Sequence, residues 1–336
     1  MPKQPFVESS WNKKDKNLDA PLRPQLLTDF AGQEPTCAKL DILITAAKGR
    51  KEPLGHALFC GPAGLGKTTL AHIIANTMGT QLHVTSGPVI EKAGDLAGIL
   101  TTLQEGDCLF IDEIHRLNRT IEEYLYPAME DFSLDLLIDS GPSARSVQVK
   151  LNRFTLIGAT TRLGLLTAPL RSRFNFSCRL DYYKPAILQQ ILLRSAKILH
   201  VSLTEEAALE IACRSRGTPR IANHLLRFVR DYAQIHTDNK INKETAHLAL
   251  EMLGIDHLGL EEMDKKILQH IITFHNGGPV GVNSLAVALG EEASTLSDVY
   301  ESYLIMQGFL KRTPRGREAT ALAYSHLGLS PNQELK

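Results

Sequence analysis

The sequence predicts an α/β domain with a parallel sheet, then a small helical domain, then a C-terminal winged-helix domain. Short apolar segments alternate with helical segments up to residue 183, which is typical of an α/β fold. Strand-like segments then disappear over residues 184–254, where the pattern is helical. Residues 257–336 contain three predicted helices followed by two short strands around a Pro-Gly turn. We therefore expect domains at 18–183, 184–254 and 257–336, after a flexible tail at 1–17.

Composition excludes several classes of protein. The 336 residues carry formal net charge +0, which argues against a protein that coats nucleic acid over its whole surface, although a local basic patch is still possible. No segment is apolar enough to span a membrane, and the N-terminus lacks the apolar core of a secretory signal. The five cysteines are scattered without metal-ligand spacing. We therefore expect a cytoplasmic protein with reduced thiols.

Three apolar segments predict the strands of the first domain. "HALFCG" (56–61), "CLFIDE" (108–113) and "FTLIGATT" (154–161) are short and bounded by turns or polar residues. Such segments are typical of buried parallel strands. Helices are predicted between them at 67–78 and 120–129.

A phosphate-binding motif follows the first predicted strand. The segment "GPAGLGKT" (61–68) fits G-x-x-x-x-G-K-[ST] and opens a predicted helix. Its glycines let backbone N–H groups face phosphate oxygens, and the helix N-terminus adds a positive end. Lys67 is expected to reach the β- and γ-phosphates, and the Thr68 hydroxyl to bind Mg²⁺. The ATP contacts expected in this segment are Gly64, Leu65, Gly66, Lys67, Thr68 and Thr69.

The second predicted strand ends in two carboxylates. In P-loop proteins the strand beside the loop ends in an Asp that holds the metal, and Asp112 takes this position. Glu113 is placed to orient and polarise the attacking water. Lys67, Asp112 and Glu113 therefore predict hydrolysis of the nucleotide and not binding alone.

Further polar residues indicate which class of P-loop protein this is. Thr160 and Thr161 end the third predicted strand, where the γ-phosphate should lie. Arg171 and Arg173 lie just beyond it, and such an arginine can stabilise transition-state charge in a neighbouring subunit. Arg220 follows a helix cap in the second domain and could close over the nucleotide. These features predict a ring-forming ATPase.

Two other P-loop classes fit less well. A signalling GTPase needs N-K-x-D, but "NKIN" (239–242) and "NKET" (242–245) both lack the Asp. A small-molecule kinase does not need the helical and winged-helix domains that follow.

Periodicity predicts the helices of the last two domains. Thr218 can cap a helix that starts at Pro219 and carries an apolar stripe, which consists of Ile221, Leu225, Phe228, Val229 and Tyr232. In the third domain we expect helices near 263–274, 284–289 and 295–306. Thr295 and Asp298 have the spacing of a capping box for the last of these.

The segment "KRTPRGR" (311–317) is a basic cluster with a turn signal inside it. Pro314 and Gly316 occupy the positions that a type I turn favours, so the segment should form the tip of a wing. Lys311 and the arginines would crowd around this turn and contact phosphate oxygens without reading bases. The predicted DNA-binding residues are Arg312, Arg315 and Arg317.

The chain resembles the RuvB family of AAA+ ATPases, the bacterial motors that branch-migrate Holliday junctions. The resemblance covers about residues 20–330. It is carried by "LRPQLLTDFAGQ", "GPAGLGKTTLAHIIANTMG", "TSGPVIEKAGDLAGIL", "LFIDEIHRL", "YPAMED", "GPSARS", "TLIGATTR", "LTAPLRSRF", "GTPRIANHLLRFVRD", "GGPVGVNSLAVALGEE" and "YLIMQGFLKRTPRGR". It implies a P-loop AAA+ ATPase domain, a helical lid and a winged-helix head. It also implies a homo-hexamer around duplex DNA, with one or two rings per junction, ATP and Mg²⁺ as cofactors, and RuvA and the RuvC resolvase as partners.

The resemblance also implies roles for particular residues. Arg173 would be the finger supplied to the neighbouring subunit, and Arg220 the sensor in the lid. A hairpin at about 134–151, around "DSGPSARS", would dock onto RuvA. Two residues depart from the usual family pattern: Ala63 stands in the phosphate loop where proline is usual, and Ser172 where an Asp is frequent. The further nucleotide-site residues implied are Leu22, Arg23, Glu130, Asp131, Phe132, Thr161 and Tyr183.

Other AAA+ activities are the alternatives. A protein unfoldase would need an aromatic pore loop, and "VTSGPVIEKAG" offers no aromatic residue. A clamp loader would carry a collar domain instead of a basic wing. A non-motor DNA-binding regulator would not need Lys67, Asp112 and Glu113.

Overall fold

The structure is a computed structural model that describes residues 20–138 and 145–330. The tail predicted at 1–17 and the tip of the predicted hairpin lie outside the described residues. The chain divides into two compact units at residues 183 and 184. Over the described ranges, no helix combines the length and apolarity that crossing a membrane requires.

The first unit is built around a five-stranded parallel sheet. Its helices and strands are α1 (Glu34–Arg50), β1 (Ala57–Cys60), α2 (Lys67–Met78), β2 (Leu82–Ser86), α3 (Ala93–Thr102), β3 (Cys108–Asp112), α4 (Arg119–Glu130), β4 (Ser133–Ile138), β5 (Arg145–Lys150), β6 (Thr155–Thr160), α5 (Ala168–Ser172) and β7 (Phe176–Arg179). The strand order is β2-β3-β6-β1-β7. All pairings in it are parallel. The three predicted strands are confirmed as β1, β3 and β6.

The central strands of the sheet are buried. Every residue of β1 and β6 is buried, as a parallel sheet requires. The predicted helix at 67–78 is confirmed as α2, which ends against Gly79 in the left-handed conformation (φ 76°). The helix predicted at 120–129 is α4, which begins one residue earlier because Asn118 caps it by accepting from the N–H of Ile121.

The strands β4 and β5 form a separate antiparallel hairpin beside the sheet. Six residue pairs run from Ser133–Lys150 to Ile138–Arg145. The hairpin expected at 134–151 is therefore present, while the centre of "DSGPSARS" lies outside the described residues.

The second unit contains the helical lid and the winged-helix head. Its helices and strands are α6 (Pro185–Ile198), β8 (Ser202–Leu203), α7 (Glu205–Arg214), α8 (Pro219–His236), β9 (Lys240–Ile241), α9 (Lys243–Met252), α10 (Glu262–His275), α11 (Val282–Leu289), α12 (Ala293–Thr295), a π-helical stretch (Leu296–Glu301), α13 (Ser302–Met306), β10 (Leu310–Thr313), β11 (Gly316–Ala319) and α14 (Ala321–His326). Thr218 caps α8 as predicted, by accepting from the N–H of Ile221 at 3.4 Å.

Buried polar contacts join the lid to the head inside this unit. Both guanidinium Nη atoms of Arg216 donate to the carboxylate of Asp264, at 3.1 and 3.2 Å. The same guanidinium lies 4.1 Å from the ring centroid of Tyr303. Arg214 donates to the carbonyl of Ile255, in the segment that connects the lid to the head, at 2.9 Å. The bidentate geometry of this buried pair fixes the orientation of Arg216 relative to Asp264. Removing either side chain would leave the other charge buried without this partner.

Two local predictions for the head are wrong. Thr295 is not a cap: its backbone is helical (φ −60°, ψ −48°), because the helix has already begun at Ala293. The wing strands also extend into the segment 311–317, which was predicted to form the tip of the wing. Thr313 pairs with Gly316, so Pro314 and Arg315 alone form the tip. Lys311, Arg312 and Arg317 therefore lie on the two strands, and Arg315 is at the turn.

Candidate active site

The phosphate loop joins β1 to α2 at the carboxyl edge of the sheet. Gly64 (φ 79°) and Gly66 (φ 103°) have backbone angles that side chains rarely adopt, which explains their place in the motif. The Lys67 side chain is buried, and its Nζ donates to the carbonyls of Gly61 and Pro62 at 2.8 Å each. The ammonium group is therefore held over the loop whose N–H groups can surround an anion.

Asp112 and Glu113 lie where β3 ends, on the same edge. Glu113 has a left-handed backbone (φ 48°, ψ 46°), which is uncommon for a non-glycine residue and frequent at functional sites. Its N–H donates to Oδ1 of Asp112 at 3.0 Å. Gly87 packs against this bend, since a Cβ on Gly87 would lie 2.5 Å from the Glu113 carbonyl oxygen. The backbone around the two carboxylates is therefore tightly constrained.

The carboxylate of Glu113 joins a hydrogen-bonded network at the end of β6. Its Oε2 accepts from the hydroxyl of Thr161 at 3.1 Å and from the Thr161 N–H at 3.4 Å. The same oxygen lies 3.1 Å from Nδ1 of His115, and that nitrogen lies 2.9 Å from the Thr160 hydroxyl. The predicted base and the predicted strand-end threonines are thus brought together.

A second group of side chains surrounds the loop and α2. Leu22 is buried, and an Nη of Arg23 lies 3.3 Å from Nε2 of His72 on α2. Burial, and then the nearby Arg23, lower the pKa of His72, so the imidazole is neutral and accepts this bond. The buried hydroxyl of Tyr183 donates to the carbonyl of Leu65 at 3.1 Å, and burial raises the pKa of Tyr183. Leu22, Arg23 and Tyr183 therefore belong to the P-loop side of the unit.

Glu130, Asp131 and Phe132 lie at the other edge of the sheet. Nε2 of His56, the residue before β1, bonds the carbonyl of Met129 at 3.0 Å. The ring of Phe132 packs edge-on against Phe154, which directly precedes β6 (centroids 5.9 Å apart). These contacts are made at the amino ends of the strands, whereas the phosphate loop follows the carboxyl end of β1. The four residues of β1 alone span about 13 Å.

Arg173 belongs to this amino-edge group. Its Nη2 lies 3.1 Å from Oε2 of Glu130, and its Nη1 donates to the carbonyl of Pro169 at 2.8 Å. The guanidinium also stacks 4.3 Å from the ring centroid of Tyr126. Ser172 is exposed and donates to the same Pro169 carbonyl at 2.9 Å. The predicted nucleotide residues of this unit therefore form two groups at opposite edges of one sheet.

The wing carries its positive charge unevenly. Lys311, Arg312 and Arg315 are exposed. Arg317 is only 8% exposed, and its Nε and Nη2 each donate at 2.8 Å to the buried carboxylate of Glu301. The prediction that Arg317 lies exposed at the wing tip is wrong. β11 pairs with β10 on one side and with Val280 on the other, where the backbones of Val280 and Arg317 exchange two hydrogen bonds. The side chain of Arg317 faces the domain interior, where Glu301 lies.

Comparison with known proteins gives one consistent result. The family model for the P-loop domain of the Holliday junction DNA helicase RuvB matches residues 22–180, the RuvB AAA lid domain matches 183–256, and the RuvB C-terminal winged-helix domain matches 257–328. The chain belongs to the RuvB family. The P-loop AAA+ domain, the helical lid and the winged-helix head expected from the sequence are thereby confirmed.

Individual relatives of the RuvB family are similar over nearly their whole length. The Holliday junction branch migration complex subunit RuvB of Protochlamydia amoebophila is 65% identical over 322 residues, covering 96% of this chain and 97% of the relative. That of Chlorobaculum tepidum is 57% identical and covers 96% and 94%. The Thermotoga maritima RuvB Holliday junction branch migration motor is a solved structure with TM-score 0.84 and 52% identity, over 92% of this chain and 99% of that one.

Sequence reasoning missed several residues of this RuvB-family site. They are His115, His72 and Gly87. His115 lies two residues after Glu113, between the apolar Ile114 and the exposed Arg116. Its position beside the carboxylates was the available signal. Arg220 lies half-buried in the first turn of α8, in the second unit, and its sensor role stays a prediction.

Proposed function

We propose that this RuvB-family chain is an ATP-driven DNA translocase that branch-migrates Holliday junctions in recombination and repair. One observation carries the chemistry: Glu113 is held by Thr161 and His115 at the strand end beside the phosphate loop. A protein that only bound nucleotide would not need a carboxylate constrained at that place. The names of its relatives, subunits of a branch migration complex, support the biological role.

Each residue of the phosphate edge has a proposed role in hydrolysis. Lys67 would leave the loop carbonyls for the β- and γ-phosphate oxygens and stabilise their charge. Glu113 would accept the proton of the attacking water through Oε1, since the contacts from Thr161 and His115 fall on Oε2. Leu22, Arg23 and Tyr183 would hold the adenine side.

The Thr68 hydroxyl and the Asp112 carboxylate fit Mg²⁺. They supply the oxygen ligands that this ion prefers, one in the first turn of α2 and one at the end of β3, both at the phosphate edge. When bound, Mg²⁺ neutralises charge on the phosphate oxygens.

We propose that a neighbouring subunit completes the site. Arg173 and the segment Glu130–Phe132 lie at the edge of the sheet opposite to their own phosphate loop, so within one chain they cannot reach that nucleotide. A ring in which each subunit presents its amino edge to the next one's phosphate edge unites the two groups. This placement supports a ring with Arg173 acting in trans, and we propose that the ring is the homo-hexamer that the resemblance implies.

The head would grip duplex DNA through its wing. Arg312 and Arg315 are exposed on or beside the wing turn, with Lys311 next to them. The helical region 293–306 of the same domain has no lysine or arginine and carries Asp298, while its second acid, Glu301, is buried against Arg317. Such a helix is poorly suited to lie in a groove between phosphates. Contact through the wing alone suits a motor that must move along any sequence.

Partners and boundaries complete the proposal. We place the ATPase domain at 18–183, the lid at 184–254 and the head at 257–336. The hairpin of β4 and β5 would dock onto RuvA, and Val147 on β5 offers an exposed apolar side chain there. RuvC would join the larger complex at the junction. A cytoplasmic location follows from activity on bacterial DNA.

One experiment tests the proposal directly. ATP hydrolysis is measured without DNA, with closed duplex and with a four-way junction, each with and without RuvA. We expect stimulation by duplex and a further increase with RuvA on the junction, together with strand exchange. If no DNA stimulates hydrolysis under any condition, the chain is not a DNA motor.

A further inference from the structure

We infer that His115 is a positioning residue that orients the catalytic carboxylate of Glu113. This inference rests on the proposed ATP hydrolysis and names a residue that the phosphate-loop and strand-end motifs do not include. His115 lies in the 3₁₀ turn Ile114–Arg116 that follows Glu113. Its side chain is only 8% exposed, so the imidazole has a fixed place in the site.

The position of Nδ1 carries the inference. This nitrogen lies 3.1 Å from Oε2 of Glu113 and 2.9 Å from Oγ1 of Thr160. The Thr160 hydroxyl also accepts from the N–H of Arg162 at 3.0 Å, and Thr160 is fully buried. One imidazole nitrogen therefore joins the carboxylate to the end of the central strand β6.

The chemistry of the partners fixes the tautomer. An ionised carboxylate has no proton to donate, so an unprotonated Nδ1 would bring its lone pair within 3.1 Å of a negative oxygen. The proton must therefore be on Nδ1, and this single N–H is shared between the Glu113 carboxylate and the Thr160 oxygen. The essential feature of His115 is then an N–H at the place of Nδ1, and not the imidazole ring as a whole.

Hydrogen bonds to Oε2 of Glu113 therefore fix the direction in which Oε1 of the same carboxylate points. His115 and the two donors of Thr161 converge on Oε2. Without the His115 donor, Oε2 keeps only the two Thr161 donors, and the carboxylate can turn further about its terminal torsion, which has a broad energy minimum. Small displacements of a catalytic group lower turnover by up to about a hundredfold. Nucleotide binding depends on the phosphate loop instead and should be unaffected.

Two near-isosteric variants separate positioning from packing. In His115→Asn the amide nitrogen stands where Nδ1 stood, whereas in His115→Gln it stands nearer the place of Nε2. We measure kcat and KM for ATP, the Kd for ADP and the thermal unfolding midpoint of each full-length variant. We expect His115→Asn to keep kcat within about threefold of wild type, and His115→Gln to lose about ten- to a hundredfold. KM and the Kd for ADP should stay within about twofold, because the loop contacts are unchanged.

A double-mutant cycle provides the second measurement. If His115 acts through Glu113, then adding His115→Ala to Glu113→Gln should lower the residual kcat no further, because the carboxylate it oriented is already gone. Equal kcat values for the Asn and Gln variants at equal unfolding midpoints would overturn the inference, as would additive losses in the cycle. Absence of ATP hydrolysis in the wild-type protein would instead overturn the proposed function, so the two failures are distinguishable.

Discussion

The buried pair of Arg317 and Glu301 leads to a prediction that separates structural from DNA-binding arginines in the wing. The two side chains are 10% and 7% exposed and are joined by two hydrogen bonds of 2.8 Å. The change Arg317→Ala leaves the Glu301 carboxylate buried without this partner. Breaking a buried pair from one side costs about 3–5 kcal/mol, because the remaining charge is uncompensated.

That loss should be visible as a lower unfolding temperature. For a unit of about 150 residues, each kcal/mol lowers the midpoint by about 2–4 °C, so Arg317→Ala should lower it by roughly 6–20 °C. Scanning calorimetry of the full-length protein measures the shift. The matched control is Arg312→Ala: this exposed side chain lies directly across the strand pair, and its loss should leave the midpoint within about 1 °C.

DNA binding of the same two variants gives the complementary result. Arg312→Ala should weaken duplex binding uniformly across sequences and reduce the salt slope of log K by about one contact. Exchanging both partners for apolar residues, Arg317→Met with Glu301→Leu, should restore most of the stability and retain DNA binding. If Arg317→Ala instead melts at the wild-type temperature and loses a unit of salt slope, Arg317 contacts phosphate and its structural role is refuted.

Four further changes test the nucleotide site. Lys67→Ala should abolish ATP-dependent branch migration, and normal strand exchange by that variant would exclude its phosphate role. Glu113→Gln should bind ATP but turn it over only at a low residual rate, so hydrolysis at the wild-type rate would refute its role as base. Arg173→Ala should be inactive alone yet regain activity when mixed with Lys67→Ala subunits; no rescue at any ratio counts against action in trans. Gly87→Ala should lower the unfolding free energy by about 1–3 kcal/mol and reduce kcat, because its Cβ would press on the Glu113 carbonyl; an unchanged kcat would show that this bend tolerates movement.

The core of the ATPase domain could be predicted because its signals are local. Every residue of β1 and β6 is buried, and so is every residue of β3 before Asp112. The spacing in "GPAGLGKT" places the start of α2 at Lys67, as observed. Strand β2 was missed because it lies at the edge of the sheet: it shows no buried residue and has an exposed Val84, so its sequence lacks the apolar signal of a central strand.

Pairing between distant residues could not be predicted. A run of basic residues around a turn is usually solvated, and only the fold shows that β11 is flanked on both sides and turns Arg317 toward Glu301. His115 was missed for a related reason. Its partner Thr160 lies 45 residues away, on the strand that the topology places beside β3. Motif spacing identifies the carboxylates, but the groups that orient them depend on strand order.

The separation of the predicted nucleotide residues between two edges of the sheet is the strongest support for the proposed ring. In the single chain Arg173 is paired with Glu130, whose side chain is 55% exposed, and stacked on Tyr126. An ion pair with so exposed a carboxylate contributes no more than about 1 kcal/mol. A neighbour's phosphate is a stronger partner for a guanidinium, because it offers charged oxygens in bidentate geometry. The pair with Glu130 is therefore weak enough for Arg173 to exchange it for a neighbour's phosphate in the ring that we propose.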